Sequence, residues 1–163
     1  MDRSETRYDL RDRVGVLTLA RPEIRNALTG QQTLDEIMAT IESADADEAV
    51  TVLIITGEGS AFSAGGNVKD MDAASGLFAG DVGAIAEGYR RTIQRLTSVM
   101  AETDLVTIAA VNGPAVGAGF DLALGCDLRI GSTKARFAHT FSDLGILPGD
   151  GGAWLLPRVV GWQ

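Results

Sequence analysis

Val111-Asn112-Gly113-Pro114-Ala115-Val116-Gly117-Ala118-Gly119-Phe120-Asp121 is the stretch on which the fold turns. It starts where a strand-like apolar run, Leu105 to Val111, ends, and it leads into an apolar helical pattern, Phe120 to Leu124. A second stretch of the same kind is Ser60-Ala61-Phe62-Ser63-Ala64-Gly65-Gly66-Asn67-Val68. It follows the β-branched run Val50 to Thr56 and precedes a short helical pattern, Val68 to Ala74. Each reads as a strand-to-helix turn. Small residues there leave backbone N–H groups uncovered at a helix start, where the dipole favours negative charge. Two such turns in one small domain point to two donors converging on one oxygen, an oxyanion hole.

Outward from these stretches, the pattern is strand then helix with short connections. Val14 to Leu19 reads as a strand closed by Arg21-Pro22. Thr29 or Gly30 opens a helix with Leu34, Ile37, Met38 and Ile41 at helical spacing. The runs at 50–56 and 105–111 predict strands buried on both faces. Ser75 to Gly83 reads as a mobile loop. Ala84 to Glu102 reads as one long helix with Ile85, Tyr89, Ile93, Leu96 and Met100 on its core face. Leu128 to Ser132 is a strand and Ala135 to Ala138 a short extended piece. Leu147 to Gly152 is a turn opening the last helix, Ala153 to Val160. The order predicts a single α/β domain over residues 1–163.

Composition bounds the function. The 163 residues, 45% hydrophobic and 22% charged, suit one soluble domain with a core. A net charge of −8 argues against nucleic acid or an anionic membrane surface as partner. The one cysteine, Cys126, excludes an intrachain disulfide and a cysteine metal cluster, and is expected to be buried and inert. A single histidine, His139, weakens a zinc reading, so no metal is expected. Met1 is followed by charged residues, not an apolar segment, and no run approaches the ~18 apolar residues of a membrane span. The expected location is cytoplasmic.

Four features in register resemble the crotonase (enoyl-CoA hydratase/isomerase) superfamily. They are Arg21-Pro22 to Asn26-Ala27-Leu28; Phe62 to Val68; Ala110-Val111-Asn112-Gly113 to Gly117-Ala118-Gly119; and Gly145-Ile146-Leu147-Pro148-Gly149-Asp150-Gly151-Gly152. The resemblance runs from about Val14 to the last residue. It implies a crotonase-like spiral of ββα units and an acyl-CoA thioester as substrate, with coenzyme A part of that substrate and no separate cofactor. It implies that the thioester oxygen sits between the N–H groups of Ala64 and Ala118. Arg25, Ala27 and Leu28 would border the coenzyme, as would the strip Gly65, Gly66, Asn67 and Val68. Gly117 and Gly119 would flank the second donor. Arg25 either meets a phosphate or is an exposed loop arginine.

The chain departs from the family pattern in two ways. Hydratases of the family carry two glutamates at the attacking water. The first position falls on Asp121, one methylene shorter, and the second on Phe141, which moves no proton. Asp150 is a candidate replacement, against the reading that it merely caps the last helix. Asp121 is either an acid–base group or half of a surface or inter-subunit ion pair. His139 either lines the pocket or is structural; Asp143 reads as a surface residue. The second departure is length, since the family's C-terminal helical trimerisation region is missing. That absence predicts an exposed apolar patch at Trp154, Leu155, Leu156 and Trp162, and oligomerisation or instability as an isolated monomer; the resemblance implies a homotrimer or hexamer.

The expected function is an enoyl-CoA hydratase that stabilises a thioester enolate. The alternatives are a double-bond isomerase, which needs only one carboxylate, and a CoA-binding relative that has lost catalysis. A serine hydrolase is disfavoured, because neither glycine stretch has a G-x-S-x-G arrangement.

Overall fold

A computed structural model describes residues 4–28 and 30–162. Strands β2 (Val14–Leu19), β3 (Val52–Gly57) and β4 (Val106–Val111) lie side by side in parallel, with Leu17 opposite Ile55 and Ile55 opposite Ala109. β6 (Leu128–Gly131) extends the parallel run beyond β4. β1 (Thr6–Arg11) closes the other edge antiparallel to β2, giving the order β1-β2-β3-β4-β6. β1 is absent from the reading of the sequence. Five of its six residues are exposed, so it carries none of the apolar alternation that marks an inner strand.

The expectation of strands buried on both faces is corrected. Leu53, Ile55, Thr107, Ala109 and Val111 are buried, but their alternating neighbours are not. On that second face Val106, Leu128 and Ile130 are 47%, 54% and 65% exposed. The helical layer supplies one core only. α1 (Gln31–Asp45) contributes Leu34, Ile37, Met38 and Ile41 to it, and α4 (Ile93–Glu102) contributes Ile93, Leu96 and Met100. Thr29 lies outside the described residues; Gly30 is the residue that precedes α1, at φ +95°.

The single helix expected over 84–102 is two. α3 (Val82–Arg91) starts within the stretch read as a loop, because the Asp81 carboxylate accepts from the Ala84 N–H. It ends at Thr92, whose backbone leaves the helical region (φ −116°, ψ −97°) and whose hydroxyl donates to the Gly88 carbonyl. A β-branched hydroxyl that bonds back to the preceding turn competes with the helical ladder.

The second glycine stretch is likewise more than a turn. It contains a short strand, β5 (Pro114–Val116), paired in parallel with β7 (Arg136–Ala138). Ser63 of the first stretch bridges to Ala115 on β5. This small sheet brings both glycine stretches and the segment entering His139 to one place. α2 (Val68–Asp72) follows the first stretch, α5 (Ala118–Gly125) follows the second, and α6 (Gly152–Val160) closes the described chain.

Candidate active site

Two asparagines fasten the loops. Asn26, 2% exposed, donates from Nδ2 to the Glu58 and Ala61 carbonyls and accepts the Arg21 N–H on Oδ1. Asn112 donates from Nδ2 to the Gly59 and Ala61 carbonyls and accepts the Gly57 N–H. These side chains satisfy backbone groups that no strand partner reaches. The Ser63 hydroxyl donates to the Asn26 carbonyl at 2.7 Å. The two glycine stretches then touch through their backbones. A Cβ on Gly65 (φ +75°) would lie 2.3 Å from the Val116 oxygen and 3.1 Å from the Ala118 nitrogen. One on Gly119 would lie 2.6 Å from Ser63.

The expected donor pair, Ala64 with Ala118, is corrected by this geometry. The Ala64 N–H is already given to the Arg25 carbonyl at 2.9 Å. Arg25 and Asn26 both adopt φ +54°, a left-handed turn that turns this carbonyl onto the glycine stretch. The Gly65 N–H donates to the Ser63 hydroxyl at 3.2 Å. Among the described residues no hydrogen bond engages the Gly66 N–H. Ala118 is the first residue of α5, so its N–H has no acceptor within the helix. Gly66 and Ala118 border the same cavity of about 220 Å³, together with Leu28, Tyr89, Phe141 and Asp150.

Three titratable groups meet behind the wall of this cavity, and of them Asp150 lines it. Asp121, on α5, is 3% exposed, which overturns the surface ion-pair reading. Asp150 is 5% exposed and does not cap α6; the residue at the cap is Gly151, with no side-chain bond to the helix. Asp150 is fixed instead by α4, where the Thr97 hydroxyl donates to its carbonyl at 2.8 Å and Gln94 donates to the Gly149 carbonyl at 2.8 Å. His139 Nε2 lies 2.5 Å from Asp121 Oδ1.

Burial raises both carboxyls above the usual carboxylate range. Asp121 is pushed up to about 6 by desolvation, with the Asp150 carboxyl and the Gly152 N–H pulling the other way. Asp150 is pushed up to about 8, first by desolvation and then by its hydrogen bond to Asp121 and that carboxylate's charge. Two carboxyls that share a hydrogen bond titrate as a pair. Desolvation also lowers the His139 imidazole, partly offset by Asp150.

The other expected residues are distributed around this centre. Phe141 stands edge-on to His139, ring centroids 4.9 Å apart, and lines the cavity. Ala27 and Leu28 are buried, and Leu28 borders the cavity. Arg25 is exposed, and its guanidinium has no ion pair among the described residues. Asn67 caps α2 by accepting the Lys69 N–H, and Val68 is half exposed. Gly117, at φ +52°, precedes α5. Asp143 is exposed, as expected. Cys126 is buried, its thiol pushed up to about 12 by desolvation. The sequence underweighted His139 and Gly66. The first matters only because β7 pairs with β5, and the second only because Arg25 takes the Ala64 amide.

Residues 9–163 match the family model described as enoyl-CoA hydratase/isomerase. The chain is 39% identical over 151 residues to the crotonyl-CoA hydratase of Syntrophomonas wolfei, covering 92% of this chain and 55% of that protein. It is 36% identical over 148 residues to the 1,2-epoxyphenylacetyl-CoA isomerase of Escherichia coli, covering 91% and 55%. The crystal structure of enoyl-CoA hydratase subunit I from Geobacillus kaustophilus superposes with a TM-score of 0.83 at 35% identity, covering 96% of this chain and 57% of that one. The chain thus spans about half the length of the curated relatives it matches.

Proposed function

The chain belongs to the enoyl-CoA hydratase/isomerase family, and on that premise we propose that it acts on acyl-CoA thioesters as an enoyl-CoA hydratase. The observation that carries this reading is the meeting of Asp121 and Asp150 around a small void beside Ala118. Phe141 removes one expected carboxyl, and Asp150 supplies a second from a different loop.

The thioester oxygen accepts from the Gly66 and Ala118 N–H groups, which carry its negative charge in the enolate. Losing one donor of this kind costs about 2.7–4 kcal/mol of transition-state stabilisation. A void of about 10 Å³, bordered by Ala118, Asp121 and Asp150, matches the size of roughly one water molecule. The water oxygen bonds to C3 while one of its protons passes to the Asp121 carboxylate. C2 takes the proton of the Asp150 carboxyl as the enolate collapses. The proton on Asp121 then returns to Asp150 through their shared hydrogen bond, so the net change is addition of one water. Arg25 is exposed and free to meet a coenzyme phosphate, while Ala27, Leu28 and the strip Gly65 to Val68 border the pantetheine and adenine.

A second reading is double-bond isomerisation, favoured by the coupled titration of the two carboxyls, since one group then shuttles a proton between C2 and C4. Homotrimeric or hexameric assembly completes the proposal. So does a cytoplasmic location, which suits a single buried thiol. Among the described residues no helix is long and apolar enough to cross a membrane.

Steady-state assays with crotonyl-CoA and with a 3-enoyl-CoA test the reading. Hydration of the first, lowered ~10²–10⁴-fold in Asp150→Asn, supports it. Turnover of only the second selects the isomerase. Calorimetric CoA binding with no turnover of either overturns both.

A further inference from the structure

We propose that His139 is the positioning residue of the carboxyl pair: its Nε2 contact with Asp121 Oδ1 turns the other oxygen, Oδ2, toward Asp150. This rests on the hydratase reading only for its catalytic consequence; the contact itself stands apart from it.

Three observations carry the inference. First, the Asp121 side chain is 1% exposed and has two oxygens to satisfy. Oδ1 is engaged by His139 at 2.5 Å, while Oδ2 and Asp150 Oδ1 are, among the described residues, the two buried side-chain oxygens without a hydrogen-bond partner. One proton between the carboxyls satisfies both atoms at once, and that requires Asp121 to be held at the angle His139 sets. Second, the imidazole cannot swing away. Phe120 and Phe141 stand edge-on to its ring, with centroids at 5.8 Å and 4.9 Å. Third, the start of α6 packs its backbone directly over the contact at Gly152. A Cβ on Gly152 would lie 2.1 Å from Asp121 Oδ1 and 2.3 Å from His139 Nε2, so any side chain there would force the two apart.

The groups facing this contact come from every element packed on it. Asp121 arises from α5, His139 from the segment after β7, Asp150 from the turn before α6, and Tyr89 from α3, whose hydroxyl feels the Asp150 charge. At 18% exposure, His139 is the one member of the Asp121–His139 contact that reaches solvent. It therefore holds Asp121 from the outside while Asp121 and Asp150 together border the small void beside Ala118.

The test uses the fact that His139 is the chain's only histidine, so its ring Cε1–H proton gives one unambiguous NMR signal. In the wild-type protein the signal is expected to bend more than once between about pH 5 and 9, following the coupled carboxyls as well as its own ionisation. Asp150→Asn should remove one of those inflections. His139→Leu should lower kcat for enoyl-CoA ~100-fold with KM little changed, as misplacement of a catalytic group does. His139→Gln keeps an N–H donor for Oδ1 and should recover most of that loss. A ring signal with one inflection, indifferent to Asp150→Asn, overturns the proposal; so does a His139→Leu variant with wild-type kcat and pH profile. If the wild-type chain turns over no enoyl-CoA while its ring titration remains coupled, the hydratase reading fails and the Asp121–His139 assignment is upheld.

Discussion

Asp121 and Asp150 hold their protons more tightly in the folded protein than in the unfolded chain, where an aspartate titrates near 3.8. Their contribution to folding is therefore fully present below about pH 3.8. It is lost as pH rises through about 6 for Asp121 and about 8 for Asp150. Asp150→Asn removes a buried charge at high pH, so its melting temperature should exceed wild type at pH 9 and converge with it near pH 4. The gap should be about 2–4 °C per kcal/mol of relief. The same pair shapes activity. Asp121 works as a base only when ionised and Asp150 as an acid only when protonated, so kcat against pH should be bell-shaped. Its limbs should fall near 6 and 8, and Asp150→Asn should abolish the alkaline limb. A flat profile across that window would show that the pair is not the acid–base set. The residues alone offered Asp121 and Asp150 as acid–base candidates, but not their burial or their meeting, since they are 29 positions apart and each also has an ordinary ion-pair or cap reading.

At the scale of elements, the site depends on loops held by side chains rather than by sheet ladders. Asn26 carries the largest share, with three backbone groups on one buried amide. Asn26→Ala leaves the Arg21 N–H and the Glu58 carbonyl without partners at ~1–3 kcal/mol each, while Ala61 keeps its bond from Asn112. Urea unfolding should show a loss of at least about 2 kcal/mol, and a smaller change would mean that the loops are fastened elsewhere. The regular elements were readable where periodicity is long: β2, α1 and α5 lie close to where apolar spacing puts them. Short or exposed pieces were not. β5 is three residues long and exists by pairing with β7, and the break at Thr92 follows from a hydroxyl bond that no spacing signals. That break matters, because α4 begins just after it and presents Gln94 and Thr97 to the turn that carries Asp150.

For the whole molecule, apolar surface is the outstanding property. Trp154, Val160 and Trp162 are 64%, 62% and 88% exposed at the end of the described chain, and the outer sheet face adds Leu128 and Ile130. Surface of this kind favours association with a second copy of the chain. The two tryptophans are the only ones in the sequence, so their emission reads this region directly. Emission should shift to the blue, and the sedimentation coefficient should rise, as concentration increases; red emission and a monomer at all concentrations would refute this. By itself the amino-acid sequence determined the α/β class, the two small-residue stretches and the family, because apolar period and glycine spacing are local and survive without a partner in view. Tertiary structure alone decided which amides remain open, since the Ala64 N–H is taken by a carbonyl 39 positions away in the chain. It also decided that Asp121, His139 and Asp150 come together, because burial and close approach arise only when α5, β7 and the turn before α6 pack together.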